Sequence, residues 1–115
     1  MPRYMPFAVL LALAVQSAAA AHHGWSEYDA TKPMQVTARL TDVGWNNPHG
    51  TAQMVHEKHN WAVVLAPIAR MNARGLRPEM LGRQPVTLIG QPRKDGTREI
   101  KVERVTLAGK TYELR

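Results

Sequence analysis

The chain has 115 residues, no cysteine and a formal net charge of +6, and 44% of its residues are hydrophobic. This length allows one small domain and no second one. The lack of cysteine excludes a disulfide scaffold, a thiolate zinc site, an iron–sulfur cluster and a cysteine nucleophile.

The first 21 residues have the pattern of a secretory signal peptide. Arg3 is their only charged side chain, residues 7–15 are an unbroken apolar run, and residues 17–21 are all small. This apolar run is shorter than the roughly 20 residues that cross a bilayer as a helix. We therefore expect cleavage, a periplasmic or secreted mature chain of 94 residues with a net charge near +5, and no membrane-spanning segment after cleavage.

Residues 22–32 carry histidine and aromatic side chains without a helical or strand period, and we interpret them as an N-terminal arm that ends before Pro33. The rest of the chain, 33–115, is the predicted domain. Its first strand begins at Met34, where apolar and polar residues alternate. Val43 and Trp45 continue the apolar face one residue out of step. A β-bulge near Thr41–Asp42 would produce this shift in a strand that bends around a barrel.

The next elements are separated by clear turn signals. The Asn-Asn-Pro turn at 46–48 precedes two strands, 49–56 and 60–65, which form a hairpin. Pro67 suits the first turn of a short helix, and Gly75 suits its end. A fourth strand covers 86–89. After a turn at 94–96, a fifth strand covers 98–107, with a second change of phase between Val102 and Val105.

Three strands, a short helix and two strands follow the order of the oligomer-binding (OB) fold, in which the helix lies between strands three and four. The sequence therefore predicts a mostly β domain, a small five-stranded OB-like barrel with bulged first and last strands. An open α+β sheet has the same order of elements and is the alternative.

Several motifs are shared with a known family. They are AHHGW at 21–25, VGWNNPH at 43–49, and GQP followed by KDG within 90–96. In these motifs the chain resembles the exported bacterial proteins catalogued as domain of unknown function 6152. The resemblance covers nearly the whole predicted mature chain, and it implies export and one compact β-rich domain without specifying an activity.

The histidines near the predicted cleavage site indicate copper chemistry. Cleavage after Ala19 or Ala20 places His22 or His23 third in the mature chain, where the amine, two deprotonated amides and the imidazole can form a square-planar site for Cu(II) or Ni(II). Cleavage after Ala21, which the family resemblance favours, makes His22 the terminal residue. Its amine and ring nitrogen can then chelate a metal ion together with another imidazole, such as that of His49.

We therefore predict a metal site formed by His22, His23 and His49, with copper as the metal. Trp25 would dock the arm on the domain and hold the histidine pair near His49, while Glu27 and Asp29 would support the ligands or add one. The alternatives are a polar start without a metal role for the His pair, and a turn residue bonded to the backbone for His49. His56 and His59, which flank a hairpin tip, are predicted to be solvated.

The competing hypothesis is a metal-free binding module for a cell-envelope polymer or a protein partner. Aromatic side chains on a barrel face can bind such partners, but the patterns predict Trp45 and Trp61 to be core residues. Basic residues on the helix and on the last hairpin are predicted to form solvated faces. We expect no nucleic-acid partner, because exported proteins rarely meet nucleic acid. No spacing of Ser, His and acidic residues supplies a catalytic motif, so we predict no enzymatic activity.

Overall fold

The computed structural model describes residues 24–115, and in this range the chain is mostly β, as predicted. The predicted signal peptide at 1–21 and the first two residues of the arm lie outside the described residues. The elements, in chain order, are β1 (Met34–Ala38), β2 (Thr41–Asn46), β3 (His49–His56), β4 (His59–Val64), α1 (Ile68–Ala73), α2 (Pro78–Leu81), β5 (Val86–Pro92), β6 (Glu99–Leu107) and β7 (Lys110–Glu113).

The predicted first strand is divided into β1 and β2, which pair with different neighbours. β1 is antiparallel to β5, and β2 is antiparallel to β3. The predicted irregularity near Thr41–Asp42 is confirmed, because the β2–β3 register shifts between Thr41 and Gly44 and Asp42 has a positive φ of 50°. The strand therefore bends where the sequence changes phase.

The described strands form one sheet in the order β1-β5-β6-β4-β3-β2, with β7 paired to β6. The β4–β6 pair is parallel and the other pairs are antiparallel. Along this path β1 and β2 are the two end strands, yet only residues 39–40 separate them in the chain. The predicted count of five strands is wrong: seven are described, because the first strand is split and β7 was missed.

One helix was predicted between β4 and β5, but two lie there, α1 and α2, and the first has the predicted start and end. Pro67 precedes α1, and Gly75 follows it with a φ of +87° that a side chain would strain. The N–H of Leu76 donates to Met71 O at 3.0 Å and that of Gly75 donates to Asn72 O at 3.0 Å. These two bonds form a Schellman ending, which places the fully buried Met71 and Leu76 together in the core.

The second predicted change of phase is also a bulge. Ile89 pairs with Arg104 while Gly90 pairs with Val102, which leaves Glu103 as the extra residue in β6. Val102 and Val105 are thereby both buried, although they are three residues apart. The bulge keeps the apolar face of this strand turned to the core on both sides.

The sheet and both helices enclose one hydrophobic core. Its fully buried large side chains include Leu40, Met54, Leu65, Met71, Leu76, Leu81, Leu88, Ile100 and Leu114. None of the helices among residues 24–115 is long and apolar enough to cross a membrane.

Candidate functional site

The described part of the arm, 24–32, is joined to the loop that follows β5. Tyr28 and Arg93 form an isolated antiparallel bridge. The N–H of Asp29 donates to Pro92 O at 2.8 Å, and the N–H of Lys94 donates to Glu27 O at 3.0 Å. These backbone bonds fix the direction in which the arm crosses the sheet.

Trp25 docks the arm on the sheet, as predicted. Its ring meets the Tyr28 ring edge to face, with centroids 6.3 Å apart. Lys101 Nζ lies 4.9 Å from the centre of the indole ring and Arg115 Cζ lies 4.2 Å from it. Lys101 Nζ also donates to Gly24 O at 3.0 Å, so the first described residue is tied to β6.

A half-buried polar cluster completes the anchor. The guanidinium of Arg93 lies 3.0 Å from a carboxylate oxygen of Glu27 and 3.4 Å from one of Glu99. The Tyr28 hydroxyl donates to Glu99. Burial, followed by this bond to Glu99, raises the pKa of Tyr28 to about 12, and the hydrogen bond that Arg93 donates to Glu27 raises the pKa of Arg93.

The two acidic residues that the sequence offered as supports for metal ligands have other contacts. Glu27 pairs with Arg93, as described above. Asp29 accepts hydrogen bonds from the N–H of Thr31 at 2.9 Å and from its hydroxyl at 2.5 Å, and these bonds lower the pKa of Asp29. Both carboxylates therefore stabilise the fold of the arm.

His49 is the first residue of β3, and its half-buried ring is oriented by the backbone. Its Nδ1 lies 3.1 Å from Gly50 O. In the tautomer with the proton on Nδ1, that nitrogen donates to Gly50 O and Nε2 keeps its lone pair. His49 can therefore make the backbone hydrogen bond expected of a turn residue through Nδ1 and still bind a metal ion through Nε2.

A cavity of about 290 Å³ brings the arm and His49 together. Gly24 and Trp25 form one side, and His49, Arg70 and Lys101 lie around it. The remaining lining is apolar and consists of Pro48, Leu65, Ala66, Pro67, Val102 and Leu114. A wider groove of about 700 Å³ shares Gly24, His49 and Lys101 with this cavity and continues along β3 and β4.

Two cations, Arg70 and Lys101, lie on the cavity, and the sequence did not predict that they meet there. Burial, followed by repulsion from Arg115 and Arg70, lowers the pKa of Lys101. The sequence placed Arg70 on the helix face and Lys101 on the last hairpin, as parts of two separate solvated surfaces. The fold brings them to one place because the N–H of Leu114 donates to Glu103 O in β6 at 2.8 Å, while Arg70 Nη1 on α1 donates to Leu114 O at 3.0 Å. No local pattern carried that signal.

The other predicted site residues are divided by the fold. His22 and His23 lie outside the described residues. His56 was predicted to be solvated, but its ring is half-buried and meets the Trp61 ring edge to face, with centroids 5.7 Å apart. It lies at the opposite end of β3 from His49, about 23 Å away at the usual rise per residue. His59 is exposed beside it.

Two further observations bear on the predicted chemistry. Within 24–115, no group of three or more His, Cys, Asp or Glu side chains could hold a metal ion. Trp45 and Trp61, which were predicted to be core residues, are half-buried and pack against the hydrophobic core. The indole N–H of Trp45 donates to Asn72 Oδ1 at 3.4 Å.

Comparison with known proteins identifies a family. A search of curated proteins finds no match. The model of a family described as "Family of unknown function (DUF6152)" matches residues 9–101, which include the arm, His49 and Lys101. The chain belongs to this family, which confirms the resemblance noted in its sequence motifs.

Proposed function

We propose that this protein binds one Cu(II) ion through its mature N-terminus and His49, for storage or for transfer to another protein. The observation that carries the proposal is the shared cavity, since Gly24 and Trp25 lie on the same cavity as His49. His22 precedes Gly24 by two residues, a reach of at most about 7 Å in an extended chain. His23 is directly bonded to Gly24.

The available donors suit copper rather than a hard cation. Amine and imidazole nitrogens are preferred by Cu(II), whereas carboxylate sites suit Mg²⁺ and Ca²⁺. His49 would contribute Nε2, because its Nδ1 is close to Gly50 O. The contacts of Trp25 with Tyr28 and Lys101 would limit the positions open to the histidine pair and so lower the entropic cost of ligation.

The form of the metal site depends on where the signal peptide is cleaved. Arg70 and Lys101 lie on the cavity and disfavour an added dication. After cleavage at Ala19 or Ala20, two deprotonated amides would cancel the charge of Cu(II), and the four N-terminal nitrogens would leave no square-planar position for His49. The proposed site with His49 therefore requires cleavage after Ala21, which the resemblance favours. The proposal includes export, because residues 1–21 have the pattern of a signal peptide, and the mass of the mature protein identifies the cut.

The proposed fold at this site is an OB-like barrel. The first and last strands of the hydrogen-bonded path are separated by residues 39–40 alone, so the chain itself joins the two edges. Leu40, at this join, is buried in the core. A bent first strand that pairs with both β3 and β5 is what closure of a five-stranded barrel requires, and β7 would then be an addition to it.

The test is native mass spectrometry and electron paramagnetic resonance of protein exported through its own signal and loaded with one equivalent of Cu(II). We expect one retained copper ion per chain with nitrogen hyperfine structure. The double variant His22→Ala/His23→Ala should lose the ion, and His49→Ala should weaken its binding at least tenfold.

The double variant His56→Ala/His59→Ala is the matched control, because it removes two imidazoles at the far end of β3 and should leave copper affinity unchanged. Unchanged affinity after loss of His22 and His23 would refute the arm site. An effect of His49→Ala no larger than that of the control would remove His49 from the ligand set. Failure to retain copper would instead favour a metal-free binding module.

A further inference from the structure

We propose that the cavity beside the arm binds an organic carboxylate with a short apolar body, whose headgroup is held by Lys101 and Arg70. This inference concerns the same cavity as the copper proposal but does not depend on it, because it is tested on the metal-free protein. It rests on the charge and shape of the cavity in the described residues and on the composition of the rest of the chain.

The first argument is charge that the chain leaves uncompensated. Among residues 24–115, neither Lys101 nor Arg70 forms an ion pair, although Arg93, Arg104 and Arg115 all do. The acid that acts on Lys101 is Glu99, which already accepts a hydrogen bond from Tyr28 and pairs with Arg93. Residues 1–23 contain no Asp or Glu, so no side chain from that segment can neutralise the pair.

The second argument is that both cations retain donors. Lys101 Nζ has three N–H groups, and its one hydrogen bond within the described residues goes to Gly24 O. Arg70 has five N–H donors, and its one hydrogen bond there goes to Leu114 O. Each of these bonds holds the side chain in place at the cavity, and the spare donors can bind the two oxygens of a carboxylate.

The third argument is the apolar remainder of the cavity. Leu65, Ala66, Val102 and Leu114 line its inner part, and all four side chains belong to the hydrophobic core. Its volume of about 290 Å³ equals that of about ten water molecules in the liquid. A ligand of about ten non-hydrogen atoms, with one charged end and an apolar body, matches both parts.

The binding of octanoate to metal-free protein tests the proposal, with octanamide as the neutral ligand of equal size. Isothermal titration calorimetry in the presence of a chelator should give saturable 1:1 binding of octanoate, at least tenfold tighter than that of octanamide. Lys101→Met keeps the apolar stem and removes the charge, so octanoate should then bind at least tenfold more weakly while octanamide is unaffected.

Lys110→Met is the matched control. Lys110 Nζ lies 4.9 Å from the centre of the Tyr112 ring, as Lys101 Nζ does from that of Trp25, but Lys110 does not line the cavity. Octanoate affinity in this variant should equal that of the wild type. Equal affinities for octanoate and octanamide, equal effects of the two lysine variants, or no saturable binding would each overturn the proposal. Retained octanamide binding by Lys101→Met shows that the cavity is still formed.

Discussion

Replacement of Trp25 by alanine should destabilise the docking of the arm on the sheet while the core remains folded. The indole contacts the Tyr28 ring and lies beneath the cations of Lys101 and Arg115, at 4.9 and 4.2 Å from the ring centre. An edge-to-face aromatic pair contributes about 0.5–1.5 kcal/mol, and each exposed cation–π contact contributes about 0.5–1 kcal/mol. These contacts together stabilise the docked arm by about 2 kcal/mol.

Amide hydrogen exchange measures this loss directly. The amides of Asp29 and Lys94 make the two backbone bonds between the arm and the loop after β5, so their protection reports the docked state. A loss of about 2 kcal/mol corresponds to a decrease in protection of about 30-fold. Amides of the β5–β6 ladder should keep their wild-type protection, because Trp25 is not part of the core cluster.

Trp45→Ala is the comparison variant, since Trp45 is also half-buried but packs against the core rather than the arm. It should lower protection in the core and leave the Asp29 and Lys94 amides less affected than Trp25→Ala does. The docking argument is refuted if Trp25→Ala changes the protection of those two amides by less than about threefold, or no more than Trp45→Ala does.

Two other predictions concern stability. Gly90→Ala should reduce the free energy of unfolding by about 3 kcal/mol, because the added Cβ would lie 2.3 Å from Lys101 O. Gly82→Ala is the control, because the Cβ added there would lie 3.8 Å from its nearest atom, Leu40 O, and should not reduce stability. Equal denaturation midpoints for the two variants would contradict this prediction. The free energy of unfolding should also fall as pH rises from 10 to 12. The pKa of Tyr28 is raised from its ordinary 10.0 to about 12 in the folded protein, so between these pH values the folded state keeps the phenolic proton that the unfolded state loses. This contribution is complete below pH 10, and Tyr28→Phe should abolish the decline; the same decline in the variant would assign it to another group.

The sequence predicted those features that depend on near neighbours in the chain. The hairpin of β3 and β4, the Gly75 helix end and both bulges follow from alternation, turn residues and changes of phase, which act over a few residues. A local signal for β7 was present but unused. Ala108 and Gly109 both have positive φ, as in a two-residue hairpin turn, and Gly109 is a residue that favours such a turn.

The divided first strand required information that the sequence pattern does not hold. Alternation continued by a change of phase indicates a bend, but it does not specify that β1 and β2 take different partners. Partner choice depends on β5, which begins 40 residues after the end of β2. The strand count was therefore wrong although the position of the irregularity was right.

The candidate site shows the same division between local and long-range information. His49 was found from the Asn-Pro-His motif, and the Trp25 anchor from its position three residues after the first histidine. Lys101 and Arg70 were predicted to lie on solvated faces, because basic residues on an alternating strand or a short helix ordinarily point into solvent. Their meeting depends on the parallel contact between β4 and β6 and on the chain end that Arg70 holds.

The chemical character of the cavity follows from that long-range packing. Its apolar residues belong to the core, whereas its charged residues come from surfaces that the sequence predicts to be solvated. Moving Lys101 from water to the edge of the core removes part of its hydration, and placing it near Arg70 and Arg115 adds repulsion, so the folded chain bears a cost at this point. On an ordinary solvated surface these cations would lie apart in water, but here the fold holds Lys101 and Arg70 at one apolar cavity. The charge of an anion that enters the cavity offsets the repulsion between these cations, and this is the physical basis of the carboxylate proposal.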